Sequence, residues 1–407
     1  MTLKLSRSTL TQWMGNSLLF LFLTVVLLDP TNTVLHMKDK VFALLLGFCI
    51  LVYKPDWHYL PHLLIIALSM LMGYLLAELQ GNTIDDKVLS STFKSIAPLI
   101  LLLYVRNFDF IKINIVPSLI TTFSLVLLFS LAVSNPIFER AIWYYVREHG
   151  DVIMMSRRSF LGFKFFGMYG KTLVAMTFSL YLVYYKTLNA PSKRRLYYFL
   201  GFFLSFAFIV SGSRSTMLLP FALLGIAAFY RIIKTRASKY ILLPLISLLG
   251  LFFLFFILLL ASETSEASNL IKYAHLFSYK ELFEAHPEYL LIGQGPATSF
   301  YSAGFGRMTS ITEWTYLELL RNYGLFSIPI MSIFLLPLVR LFRYRHNHLT
   351  QGIIFSYIIY LLIAGTNPLL LSSTGMVVIL SAYSYCEQVQ QKVSAIHEES
   401  TGIDVHL

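Results

Sequence analysis

Long apolar runs separated by short polar clusters occupy most of the chain. A helix needs about 20 mostly apolar residues to cross the hydrocarbon core of a bilayer. Runs of that kind recur about twelve times. Their centres fall near Phe20, Gly47, Ala67, Leu101, Val126, Thr177, Phe206, Leu223, Gly250, Ile330, Tyr357 and Ile379. The pattern predicts an all-α, polytopic membrane protein of about 12 transmembrane helices forming one membrane domain. The runs around Gly47, Leu101 and Ile379 are shorter or flanked by polar residues. The first run follows Lys4 and Arg7 and ends at Asp29-Pro30 without a small-residue cleavage pattern, so it reads as a retained span rather than a removed signal peptide.

The polar clusters set the expected orientation. Arg106 and Lys112, then Lys186 and Lys193–Arg195, then Arg231–Lys239, then Arg340–Arg345 mark compact basic connections. Excess Lys and Arg in short loops marks the cytoplasmic side. On the opposite side two longer segments are expected, Ser134–Gly170 and Ser262–Asn322. Both are basic too, with Arg140, Arg147, Arg157, Arg158 and Lys164 in the first and Lys272, Lys280, Arg307 and Arg321 in the second. Cations on that face suit an anionic ligand, or equally the lipid headgroups. The stretch Glu387–Leu407 is polar and reads as a fraying cytoplasmic tail.

Composition narrows the class. Of 407 residues 57% are hydrophobic and 13% charged, against about 25% charged in soluble domains. A soluble enzyme, a disordered chain and a nucleic-acid-binding module are thereby excluded. The net charge of +11 then points to lipid headgroups or a phosphate-bearing substrate. The two cysteines, Cys49 and Cys386, lie in apolar runs and give neither a disulfide framework nor a thiol metal site.

Three places depart from apolar filler. In Ser211-Gly212-Ser213-Arg214-Ser215-Thr216 an arginine sits at a tight turn between two apolar helices. A guanidinium there is costly unless it is paired or wet. It can grip phosphate bidentately, or it can simply snorkel to the interface. In Ser156–Lys171, the cations Arg157, Arg158, Lys164 and Lys171 alternate with aromatics and glycines. That mixture suits a phosphorylated glycan, and it is also the composition of an interfacial aromatic belt. In Thr312–Leu325, an amphipathic helix is expected. Glu318 can meet Arg321 or Asn322 at helical spacing, whereas Glu313 has Tyr316 and Leu317 at those offsets. A carboxylate beside Trp314 without a local cation suits a general base, or an ordinary solvated acid near a helix start. The ten histidines lack ligand spacing, so no metal site is predicted. Phosphate-binding loops and nucleophile elbows are missing from the sequence as well.

At these residues the chain resembles the bacterial O-antigen polymerase and O-antigen ligase superfamily. The resemblance rests on Ser211-Gly212-Ser213-Arg214, on Gly293-Gln294-Gly295, on the helix running from Glu313 to Gly324-Leu325, and on the basic, glycine-rich stretch Arg157–Gly170. It covers about Arg157–Leu325 in pattern and the whole chain in topology. It implies a GT-C-like helical fold in the bacterial inner membrane, with the large loop and the active site facing the periplasm. It implies transfer of a glycan from undecaprenyl pyrophosphate without a nucleotide donor, metal or other cofactor. Ligases of this family carry a His-Asn pair where this chain has Glu313-Trp314, which favours the polymerase. On that reading Arg214 and Glu313 are the catalytic candidates, and Arg157, Arg158, Lys164, Arg307 and Tyr316 the substrate-binding ones. The partners are the lipid-linked oligosaccharide and polymer, membrane lipids and, as a candidate, a chain-length regulator; nucleic acid is not among them. The alternatives are a ligase, which moves polymer onto lipid A core, and a flippase for lipid-linked oligosaccharides.

Overall fold

A computed structural model describes residues 7–148, 153–160, 163–170, 172–211, 213–233 and 267–401. The span expected around Gly250 lies outside them. The chain is mostly helical. Its first half comprises α1 (Arg7–Leu28), α2 (Lys38–Val52), α3 (Leu60–Leu79), α4 (Asp86–Ile96), α5 (Phe110–Ile113), α6 (Ile115–Ser134) and α7 (Pro136–Glu148). A hairpin of β1 (Ile153–Phe160) and β2 (Phe163–Gly170) follows, then α8 (Thr177–Asn189), α9 (Arg194–Val210) and α10 (Arg214–Ile233). Beyond residue 266 come α11 (Ala267–Ala285), α12 (Tyr289–Ile292), a short hairpin of β3 (Phe300–Ser302) and β4 (Arg307–Thr309), α13 (Thr315–Tyr323), α14 (Ser327–Phe342), α15 (His348–Gly365) and α16 (Ser373–Thr401).

Six described segments are long and apolar enough to cross a membrane: Thr9–Leu28, Trp57–Leu79, Asp86–Asn107, Phe110–Ser134, Thr315–Phe342 and His348–Gly365. Thr216–Phe229 in α10 is a shorter apolar helix. Local chemistry starts and bends these segments. The Asp85 carboxylate accepts from the Lys87 and Val88 amides and caps α4, satisfying donors that a helix start leaves free. At Pro98, which has no N–H to donate, the segment continues as a 3-10 helix over Ala97–Asn107. Large apolar side chains face outward along the bundle, with Leu51 87%, Leu79 84% and Phe202 72% exposed. Water does not tolerate such continuous apolar faces and lipid does, so the chain is a helical membrane protein.

α16 is the centre of the packing. Every residue from Ser373 to Glu387 is buried, which marks a helix surrounded on all sides. Its polar side chains bond to backbone oxygens instead of water: Ser381 to its own helix at Val377, Ser384 to Phe108 and Tyr383 to Ile333. The stretch expected as a polar tail from Glu387 begins inside this helix. The helix continues to Thr401, and the Glu387 carboxylate is buried because it accepts from Tyr59 and from Arg106 Nε at 2.6 Å, with Arg340 at 3.7 Å. This cluster, completed by Asp56 paired to Arg106 at 2.9 Å, closes one end of the bundle. At the other end, α3 finishes against Gly293 and Gln294 through Gln80 and Asn82, and α16 begins beside Lys38.

The two segments expected as long loops contain regular structure. Residues 134–170 hold α7 and the β1–β2 hairpin, in which Arg157 pairs with Phe166, Arg158 with Phe165 and Ser159 with Lys164. Residues 262–322 hold α11, α12, the β3–β4 hairpin and most of α13.

Candidate functional site

The segment 267–323 docks on the bundle end through glycines. Gly295 has φ +107 and Gly293 φ +79, values that side chains rarely adopt. A Cβ on Gly293 would lie 2.6 Å from the Asn322 carbonyl, and one on Gly295 would collide with Ala77 of α3. The Gly-x-Gly pattern is thus explained by close backbone approach. Gln294, between them, donates its amide N–H to the Arg321 carbonyl at 2.6 Å.

Arg321 anchors the arrangement. Its side chain is fully buried. Nη1 donates to Gln294 Oε1 (2.6 Å), the Thr298 carbonyl (3.0 Å) and Thr298 Oγ1 (3.1 Å), while Nη2 donates to the Ser310 carbonyl (2.9 Å) and to Glu318. Its guanidinium lies 4.7 Å from the Phe300 ring centroid, a favourable stacking distance. Glu318 also accepts from Tyr279 Oη at 2.5 Å and from Thr312 and Asn322 at 3.4 Å. A carboxylate held by that many donors positions structure. The i, i+3 pairing of Glu318 with Arg321 is the one the sequence spacing predicts.

Glu313 has a different setting. The helix begins at Thr315, so Glu313 and Trp314 lie just before it. The Glu313 carboxylate is 32% exposed and 3.7 Å from Lys272 Nζ. Trp314 Nε1 donates to the Lys272 carbonyl at 3.0 Å. The sequence shows no cation near Glu313 because Lys272 comes from α11. Lys272, His275 and Tyr279 recur at one face of α11; Lys272 meets Glu313 and Tyr279 meets Glu318. His275 is buried, with Nδ1 2.6 Å from Ser302 Oγ and Nε2 without a hydrogen-bond partner. Burial lowers its pKa, an effect opposed by Glu313 and Glu318 and reinforced by Lys272. The Tyr279 hydroxyl is pushed up, first by burial and then by the Glu318 carboxylate.

Beside this cluster is a cleft of about 110 Å³ between α4 and α13. Val88, Thr92, Thr312, Thr315, Glu318 and Asn322 contribute to its walls. Glu313 is not part of the lining.

The other candidates are dispersed. Arg214 is the first residue of α10, four positions after the end of α9 at Val210, so the connection between the two helices is short. Buried Ser211 and Thr216 join their hydroxyls across it at 2.6 Å. The side chains of Arg214, Arg157, Arg158 and Lys164 lie outside the described ones. Arg307 is exposed on β4, 5.9 Å from the Phe305 ring. Tyr316 donates its hydroxyl to the Leu361 carbonyl at 2.6 Å and packs against Gly365; the residue as a whole is 38% exposed. Among the described residues no group of three His, Cys, Asp or Glu side chains could hold a metal ion.

Comparison of the chain with protein-family models, with curated proteins and with solved structures finds no match.

Proposed function

We propose that this chain is a GT-C-like surface-polysaccharide polymerase of the O-antigen type. It would lie in the bacterial inner membrane with about twelve spans and carry residues 267–323 on the periplasmic face. It joins repeat units carried on undecaprenyl pyrophosphate. The observation that supports this reading is the folded segment pinned to one end of a helical membrane bundle, with the partly exposed Glu313 carboxylate held by Lys272. A hydroxyl oxygen of the incoming repeat unit attacks the anomeric carbon of the growing chain. The bond from that carbon to the diphosphate oxygen breaks, and its electron pair leaves with the lipid diphosphate. Glu313 accepts the hydroxyl proton, and Arg214 offsets the charge on the departing diphosphate. Arg157, Arg158, Lys164, Arg307 and Tyr316 bind the glycan or its phosphates.

Glu313→Gln keeps the side-chain shape and removes the base. It is expected to slow extension by about 10²–10⁴-fold, read as shortened glycan chains from a strain carrying the variant. Arg214→Ala is expected to abolish extension while the protein still inserts. An unchanged chain-length distribution in both variants would overturn the assignment. Loss of all glycan on the lipid A core, rather than retention of a single repeat unit, would favour the ligase. Accumulation of lipid-linked repeat units on the cytoplasmic face would favour the flippase.

A further inference from the structure

The sequence singles out no chemistry in residues 29–94, yet the structure builds a second polar cavity there. It measures about 410 Å³, within the range of about 300–1,000 Å³ typical of small-molecule sites. One wall is the turn before α2 and the start of that helix. The other is a single face of α4, where Lys87, Ser90, Ser91 and Lys94 recur at helical spacing.

Lys38 also lines this cavity. It is 3% exposed. Its ammonium donates to the Pro30 carbonyl at 2.7 Å and to Ser373 Oγ at 3.0 Å, which leaves one of three N–H bonds without a described acceptor. Neither Lys38 nor Lys87 nor Lys94 is ion-paired with a described carboxylate. Asp39 and Asp29 attract the buried Lys38 ammonium from beyond ion-pair distance, and an anion in direct contact would offset more of its desolvation.

Asp39 and Asp86 also line the cavity, so its walls carry three ammonium groups against two carboxylates, each of which has a local role. Asp29 accepts from the backbone amides of Thr33 (3.0 Å), Val34 (2.9 Å) and Leu35 (2.6 Å). Asp39 accepts from Asn32 Nδ2 at 3.1 Å, and Asn32 Oδ1 in turn accepts from the Lys38 amide. Asp86 is in the first turn of α4, where the helix dipole favours an acid. The bonds made by Asp29 and Asn32 fix the turn and therefore the position of Lys38. A ligand seated here meets ammonium groups from opposite walls together with the hydroxyls of Ser90 and Ser91.

We infer that this cavity binds a diphosphate ester, with Lys38 contacting it from the α2 wall and Lys87 and Lys94 from α4. Phosphate oxygens take the ammonium N–H bonds, and the hydroxyls and Asp86 can bond to an attached sugar. Phosphoryl recognition here depends only on the lysines; its use for a lipid-linked donor rests on the proposed function.

The test uses the full-length protein in phosphatidylcholine nanodiscs, with equilibrium binding of geranyl diphosphate, inorganic pyrophosphate and geraniol. The wild-type protein is expected to bind geranyl diphosphate saturably and geraniol not at all. Lys87 and Lys94 are exposed, so K87Q/K94Q leaves the fold intact, checked by an unchanged melting temperature. That variant is expected to weaken geranyl diphosphate binding at least tenfold. Geranyl diphosphate binding tenfold tighter than pyrophosphate identifies a lipid-borne ligand, and equal binding identifies a free diphosphate. An unchanged affinity in K87Q/K94Q, or geraniol binding as tightly as its diphosphate, overturns the inference. No transfer reaction is measured, so this outcome is independent of the tests on Arg214 and Glu313.

Discussion

Replacing Arg321 with methionine should release the segment 267–309 from the bundle end without unfolding the spans. Methionine fills similar space and removes the charge. Five hydrogen bonds disappear with the guanidinium, and the acceptors on Gln294, Thr298, Ser310 and Glu318 lose a donor that is fully buried. Removing one partner of a buried ion pair costs about 3–5 kcal/mol. Because Tyr279, Thr312 and Asn322 still donate to Glu318, the low end of that range applies, near 3 kcal/mol. At about 1.4 kcal/mol per factor of ten, local opening becomes roughly a hundredfold more frequent. Amide hydrogen exchange in nanodiscs reads this directly as faster exchange in α11 and the β3–β4 hairpin, with α16 unaffected. The double variant Glu318→Leu/Arg321→Met removes both charges and should recover a large part of the lost protection, since a well-packed apolar pair often replaces a buried ion pair at little cost. Exchange in Arg321→Met within threefold of the wild type would refute the claim that Arg321 holds the segment in place.

Other outcomes follow from the same packing. Gly295→Ala must fit a side chain at φ +107 against Ala77; it should destabilise the docked segment by about 1–3 kcal/mol, measured as increased proteolysis between residues 285 and 310. Glu387→Gln removes the buried carboxylate between Arg106 and Arg340; Arg106 keeps Asp56, so a fall in thermal midpoint is expected from a loss of about 1.5–3 kcal/mol. The lowered pKa of His275 means that the folded state resists its protonation more than the unfolded state does. Its contribution to stability is therefore complete above the unfolded value of about 6.5 and is lost as pH falls from there toward the folded pKa. Protection factors in α11, which divide out the intrinsic pH dependence of exchange, should fall as pH drops from 7.5 to 5.5, and His275→Gln should flatten that dependence; equal pH dependence in the variant would exclude His275 as its source.

What the sequence discloses depends on how local each interaction is. Of about twelve runs expected to span, apolar pattern announces the six described segments long enough to cross a membrane, because burial in lipid acts on each helix separately. The Glu318–Arg321 pair is visible for the same reason, since both residues lie on one turn of helix. Lys272 is invisible as the partner of Glu313 because α11 must first fold back against residues 313–314. Glu387 reads as the start of a polar tail until Tyr59, Arg106 and Arg340, from three separate segments, are brought around it. The β1–β2 hairpin is hidden by composition: its cations and aromatics suggest interfacial filler, while the cross-strand pairs of Arg157 with Phe166 and Arg158 with Phe165 are set by the register. Lys38, at the start of α2, carries no signal in the sequence, and only its burial against Pro30 and Ser373 distinguishes it.

The most direct measurement is the length distribution of surface lipopolysaccharide in a strain lacking this chain, before and after the chain is restored. The proposed polymerase predicts a core bearing one repeat unit in its absence and a full ladder on restoration. A full ladder without the chain, or a core with no repeat unit at all, would contradict it.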